Sequence, residues 1–149
     1  MRRFTIVLVT ACFAGGPAFA QQRPNDWWSG VWERVRAPAG QTEPKELRIS
    51  QQGLILIVDD GTQKVMFDLG GAETRSVSSI ALVSSVTTAT LTPGGVTIVR
   101  KDFLAGEVRR TESQTWSRDD HGLLRIEKIV DPGAIPGSKT WTAELFKRR

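Results

Sequence analysis

In this chain apolar side chains recur at every second position: Leu47 and Ile49 alternate with Arg48 and Ser50, Val65, Phe67 and Leu69 with Met66 and Asp68, and Leu124 and Ile126 with Arg125 and Glu127. A period of two is the signature of a strand that buries one face and wets the other. Beyond the N-terminal segment no window carries a helical stripe, and Val77 to Ile98 is rich in the β-branched residues that suit a pleated surface. The chain is therefore expected to be all-β.

Turn formers separate the alternating runs at Gln51-Gln52-Gly53, Asp59-Asp60-Gly61, Gly70-Gly71, Pro93-Gly94-Gly95, Asp119-Asp120-His121-Gly122 and Pro132 to Gly137. Gly and Asp tolerate the positive φ that tight hairpins require. These stops define nine candidate strands at 30-36, 45-51, 54-58, 63-69, 75-82, 85-92, 95-102, 107-118 and 122-130, and a last one at 138-147. Short connections between consecutive strands imply a single antiparallel meander. A long open meander would leave unpaired edges, and closing it into a barrel of eight to ten strands removes them. Leu54 to Val58 is apolar on both faces and would be an aggregation hazard on an edge, so it is expected in the interior of the sheet, with Asp59 and Asp60 as gatekeepers.

The first twenty residues read as an export signal. Arg2 and Arg3 supply positive charge, Phe4 to Ala14 is apolar, and Ala18-Phe19-Ala20 fits the small-x-small pattern of a cleavage site. The apolar run is shorter than the roughly 20 residues of a membrane span. Val9-Thr10-Ala11-Cys12 resembles a lipobox, which would make Cys12 a lipid anchor, but Cys12 sits early in the run and a better site follows. The expectation is a domain spanning residues 21–149 in the periplasm or outside the cell, with lipid anchoring at Cys12 as the alternative. Such a domain has no cysteine, so its stability rests on packing rather than disulfides.

Charge excludes one large class of partner. Of 20 basic residues, Arg2 and Arg3 lie in the signal segment, leaving 18 against 16 acidic residues. The charges alternate in sign along the strands, whereas a nucleic-acid surface would cluster Lys and Arg with interleaved aromatics. No nucleic-acid partner is expected.

Catalytic inventories fail in the same way. With one His and no cysteine beyond Cys12, thiol catalysis and zinc sites built from several His or Cys are excluded. His121 lies in a turn beside Asp119 and Asp120, where nothing orients it for proton transfer. The adjacent pairs Asp59-Asp60 and Asp119-Asp120 single out no glycosidase dyad and match no calcium loop, and Gly70-Gly71 and Gly94-Gly95 match no phosphate-cradling motif. No catalytic residue, metal or cofactor is expected.

Three of the five tryptophans fall within six residues, in Trp27-Trp28-Ser29-Gly30-Val31-Trp32. Gly30-Val31-Trp32 at the head of the first strand resembles the Gly-x-Trp of lipocalins and the wider calycin group. It is similar also to small secreted bacterial proteins of unassigned function, which share hairpins of the form seen here as Trp116-Ser117-Arg118-Asp119-Asp120-His121-Gly122-Leu123-Leu124. The resemblance implies a lipocalin-like barrel in which Trp32 closes one end and a basic residue of the last strand, among Lys147, Arg148 and Arg149, packs across its indole. The lipocalin Thr-Asp-Tyr segment has no counterpart in a chain without tyrosine. Trp27 and Trp28, ahead of the strand, either lie on the surface or fold over the barrel mouth.

The run 107-118 breaks the pattern, being polar on both faces for most of its length. Either one face lines a wet cavity, with Arg110, Glu112 and Gln114 orienting a ligand's polar end above a floor of Trp116, or the strand extends exposed beyond the core. The candidate ligand-binding residues are thus Trp27, Trp28, Arg110, Glu112, Gln114 and Trp116. The functional expectation is non-catalytic binding of a small, partly apolar ligand inside the barrel. The alternative is a structural or protein-interaction module with a filled interior that meets a partner through Trp27 and Trp28 or a strand edge.

Overall fold

The computed structural model describes residues 27–41, 45–77, 83–133 and 137–149. The signal segment and Cys12 lie outside the described residues. Ten strands follow in chain order: β1 (Gly30–Arg36), β2 (Glu46–Gln52), β3 (Ile55–Asp59), β4 (Lys64–Asp68), β5 (Thr74–Val77), β6 (Val83–Thr92), β7 (Gly95–Leu104), β8 (Glu107–Arg118), β9 (Leu124–Asp131) and β10 (Thr140–Arg148). The expected meander is the observed one, with most strand limits within one or two residues. The candidate strand 75-82 is described only to Val77.

The strands form one antiparallel sheet in the order β4-β3-β2-β1-β10-β9-β8-β7-β6-β5. β1 pairs along β10, joining the two ends of the domain, with Trp32 opposite Arg148 and Arg34 opposite Phe146. β3 sits between β2 and β4, so the doubly apolar segment is interior to the sheet, as its composition requires. The ring is nearly closed. Its seam lies between β4 and β6, which meet at the isolated Gly70–Thr90 bridge and through the Gly71 amide donating to the Ala89 carbonyl at 3.0 Å.

Alternation turns the apolar positions inward. Leu47, Ile49, Leu56, Leu69, Ala89, Val96, Ile98, Leu124, Ile126 and Phe146 are buried in one cluster with Trp28, Trp32 and Trp116. Where β7 meets β8 the backbones come so close that a side chain on Gly95 would stand 1.7 Å from the Trp116 carbonyl oxygen, and only glycine fits.

The cluster is concentrated toward one end of the barrel, and the tryptophan triad finishes that end. Trp28 and Trp32 are 1% and 2% exposed. Trp27 meets both edge-on, with ring centroids 5.3 Å from Trp28 and 6.5 Å from Trp32. Both buried indoles find acceptors: Trp32 Nε1 donates to the Trp28 carbonyl, and Trp28 Nε1 donates to Gln51 Oε1 at 2.9 Å. Burying one such ring removes about 200 Å² from water, worth about 5 kcal/mol at 25 cal/mol per Å². Arg148 clasps the same end, its guanidinium donating to the Ser29 carbonyl at 2.9 Å and lying 3.0 Å from where a Gly30 side chain would begin. Gly30 has φ +141°, a conformation that calls for glycine there. The described residues include no helix long and apolar enough to cross a membrane.

Candidate functional site: the charged mouth of the barrel

The opposite end is built differently. Moving from the plug toward it, the inward position of each strand changes from apolar to polar: Trp32 is followed by Arg34 on β1, Ile98 by Arg100 and Asp102 on β7, and Ile126 by Lys128 on β9. On the strands that run the other way the order reverses, so Lys45 precedes Leu47, Glu112 and Gln114 precede Trp116, and Thr142 and Glu144 precede Phe146. Because neighbours are antiparallel, all these groups gather at one end.

Lys45, Arg100, Glu112, Gln114, Lys128, Thr142 and Glu144 surround a cavity of about 490 Å³. Its floor and lower walls are Leu47, Val58, Val65, Phe67, Ile98, Trp116 and Ile126, and its upper wall carries Lys45, Arg100, Lys128, Asp60, Glu112 and Glu144. The size lies within the range of small-molecule sites, which pair apolar walls with a few placed polar groups.

β8 supplies a continuous hydrogen-bonded ladder on its inward face. Trp116 Nε1 donates to Gln114 Oε1 at 3.2 Å, Gln114 Nε2 donates to Glu112 Oε1 at 2.9 Å, and Arg110 Nη2 donates to Glu112 Oε2 at 2.8 Å. Lys128 of β9 adds a third donor to Glu112, with Nζ 2.8 Å from Oε1. The Glu112 side chain is only 13% exposed. Burial alone would raise its carboxyl, but the hydrogen bonds from Lys128 and Gln114 and the charges of Lys128 and Arg110 reverse the direction and hold it below the usual carboxylate range.

Two further carboxylates are held in the same manner. Glu144 accepts from Arg34 Nη1 at 2.9 Å and faces Lys45 Nζ at 3.5 Å. Asp102 accepts from the Ser85 hydroxyl at 2.7 Å and from Arg100 Nε at 2.8 Å. Burial pushes Asp102 up, and Ser85 and Arg100 more than offset it, so its carboxyl is lowered. Asp60 on the rim is committed to its own turn: Thr62 donates through hydroxyl and amide, the Gln63 amide donates as well, and these bonds lower it to about 2.

The candidate residues divide into two groups. Glu112, Gln114 and Trp116 line the cavity together, and Arg110 stands above them and is tied in through Glu112. The polar run is thus part of the wall of a cavity. Trp27 and Trp28 lie at the other end, in the plug, with no place in the cavity lining. The groups not singled out from sequence are Arg34, Lys45, Arg100, Lys128 and Glu144. Their signal was present in each case as the continuation of an inward stripe past its last apolar residue. His121 is an exposed turn residue whose amide donates to Asp119 Oδ1 at 2.9 Å. Among the described residues no three His, Cys, Asp or Glu side chains come together as a metal-binding group. Compared with protein families and with curated proteins, the chain matches none.

Proposed function

We propose that the protein is an exported, lipocalin-like, non-catalytic binding protein that takes a small, partly apolar molecule into the open end of its barrel. The observation that carries this reading is the roughly 490 Å³ cavity, apolar at its floor and ringed with charge at its mouth. A filled barrel would leave no such volume, since interiors of proteins otherwise pack to crystal-like density. The plug of Trp28 and Trp32 at the far end favours entry from one side only. Export rests on the Arg2-Arg3, apolar and Ala18-Phe19-Ala20 sequence of the first twenty residues, and an intact mass starting at Gln21 is the expected result for protein recovered from cells.

Titration with N-phenyl-1-naphthylamine, a neutral apolar fluorophore, tests the binding. Saturable quenching of tryptophan emission at one probe per chain is expected, and Trp116→Phe should remove most of that quenching while leaving probe binding, read from the probe's own emission, largely intact. Absence of saturable binding at high probe concentration would refute the reading and favour the interaction module.

A further inference from the structure

Closing a meander into a ring removes its edges, and here the closure is incomplete. The sheet order ends at β4 on one side and at β5 on the other. β4 approaches β6 beside the Gly70–Thr90 bridge and stays apart from β5 over most of its length. The four residues of β5, Thr74 to Val77, are exposed on both faces. The phase of the β3–β4 ladder shows what β4 offers to the gap. The Leu69 amide donates to the Leu54 carbonyl at 2.7 Å and the Asp60 amide to the Gln63 carbonyl at 3.2 Å, one pair at each end of the ladder. Bonded and non-bonded pairs alternate between antiparallel strands. Val65 and Phe67 therefore exchange bonds with β3, and Lys64, Met66 and Asp68 direct their amides and carbonyls into the gap. No strand among the described residues pairs with that edge.

We infer that the gap between β4 and β5 is a binding site for an extended segment of another polypeptide, which adds to β4 as an eleventh strand. A row of unpaired backbone donors and acceptors is matched in spacing by an extended backbone. A gap with an edge on each side takes a strand that brings no sheet of its own, whereas every strand of a second folded copy comes with a neighbour attached. Because β4 and β5 run in opposite directions, the incoming strand is antiparallel to one and parallel to the other. The five residues of β4 span about 17 Å at 3.4 Å per residue, so a segment of similar length covers the edge. Val65 and Phe67 line the cavity from β4 and Thr87 lines it from β6, so the inward positions of the segment meet a mainly apolar wall. Its outward positions meet Lys64 and Met66, and Met66 is 64% exposed. Proteins blunt exposed edges with proline, bulges or charge. The middle of this edge carries none of them, with Met66 at its centre and an unbroken register against β3.

Selection of random heptapeptides displayed on phage against the native chain tests the inference. Peptides with apolar residues at alternate positions are expected to be enriched. A synthetic copy should lose about tenfold in affinity when the alternate amides that face β4 are N-methylated, since each methyl group removes a donor. Met66→Pro deletes an amide that β3 does not use, a position where proline is tolerated, and should weaken the peptide to a similar extent. Met66→Thr keeps the amide and should leave the affinity largely unchanged. No enrichment, or peptides indifferent to N-methylation in either phase, would overturn the inference. Dimerisation of the native chain that Met66→Pro abolishes would overturn it in favour of edge pairing between copies. The N-methyl comparison is made on the native chain and does not depend on a variant folding. Naphthylamine binding in the cavity is a separate measurement, so the two readings fail independently.

Discussion

The two ends of this barrel are made from the same ten strands and do opposite things. At the plugged end, Trp28, Trp32, Leu124 and Phe146 belong to one buried cluster, and the indole N–H groups of the two tryptophans are both paired. At the mouth, residues on the same inward faces are charged, half-wet and arranged around space. The contrast teaches that inward-facing and apolar are separate properties. Alternation fixes the first; the second changes along each strand, and the level at which it changes marks where the core stops and the site begins.

If the division is sound, substitutions at the two ends should differ in what they damage. The largest effect is expected for Trp32→Ala, which opens a void in the plug and should cost about 3 to 5 kcal/mol in chemical denaturation. Gly95→Ala comes next, since its methyl group meets the Trp116 carbonyl; the backbone shift should cost about 1 to 3 kcal/mol, and the same measurement checks it. At the mouth Glu112→Gln should cost about 1 kcal/mol, because Arg110 and Lys128 are each more than a third exposed and can turn to water. A loss at Glu112 as large as at Trp32 would break the comparison by making the mouth part of the core.

The smallest effect is acid sensitivity. Asp60, Asp102 and Glu112 all have carboxyls lowered in the folded state. Lowered groups contribute stability that is complete above their unfolded values, near pH 4, and that is lost as pH falls through the folded values. For Asp60 the window runs from about pH 4 down to about 2. Denaturation midpoints followed across that range should fall with pH, and Asp60→Asn should flatten the slope.

Much of this division could be read from sequence, and the part that could not has a physical cause. Strand number, order and the buried role of Trp32 followed from alternation, turn residues and the Gly30-Val31-Trp32 segment. The run 107-118 stood out because it is polar throughout, and Glu112, Gln114 and Trp116 do share a wall. Lys45, Arg100, Lys128 and Glu144 escaped notice because each occupies one charged position after or before a normal apolar stripe, and a lone charge beside such a stripe reads as exposed. Only the antiparallel register, which brings such positions from different strands to the same level, turns them into a site. Trp27 and Trp28 were the opposite case: sequence left them on the surface or over the barrel mouth, and the structure buries Trp28 with its indole donating to Gln51 on β2, a tertiary contact that no local pattern records.

The most direct test places the ligand relative to the two ends. The five indole N–H groups give separate signals in a ¹H–¹⁵N correlation spectrum, with Trp116 in the cavity floor, Trp28 and Trp32 in the plug, and Trp141 on the outer face. Addition of N-phenyl-1-naphthylamine should move the Trp116 signal, saturating at one equivalent, and leave Trp28 and Trp32 in place. Movement of the plug signals with Trp116 unchanged would contradict the account.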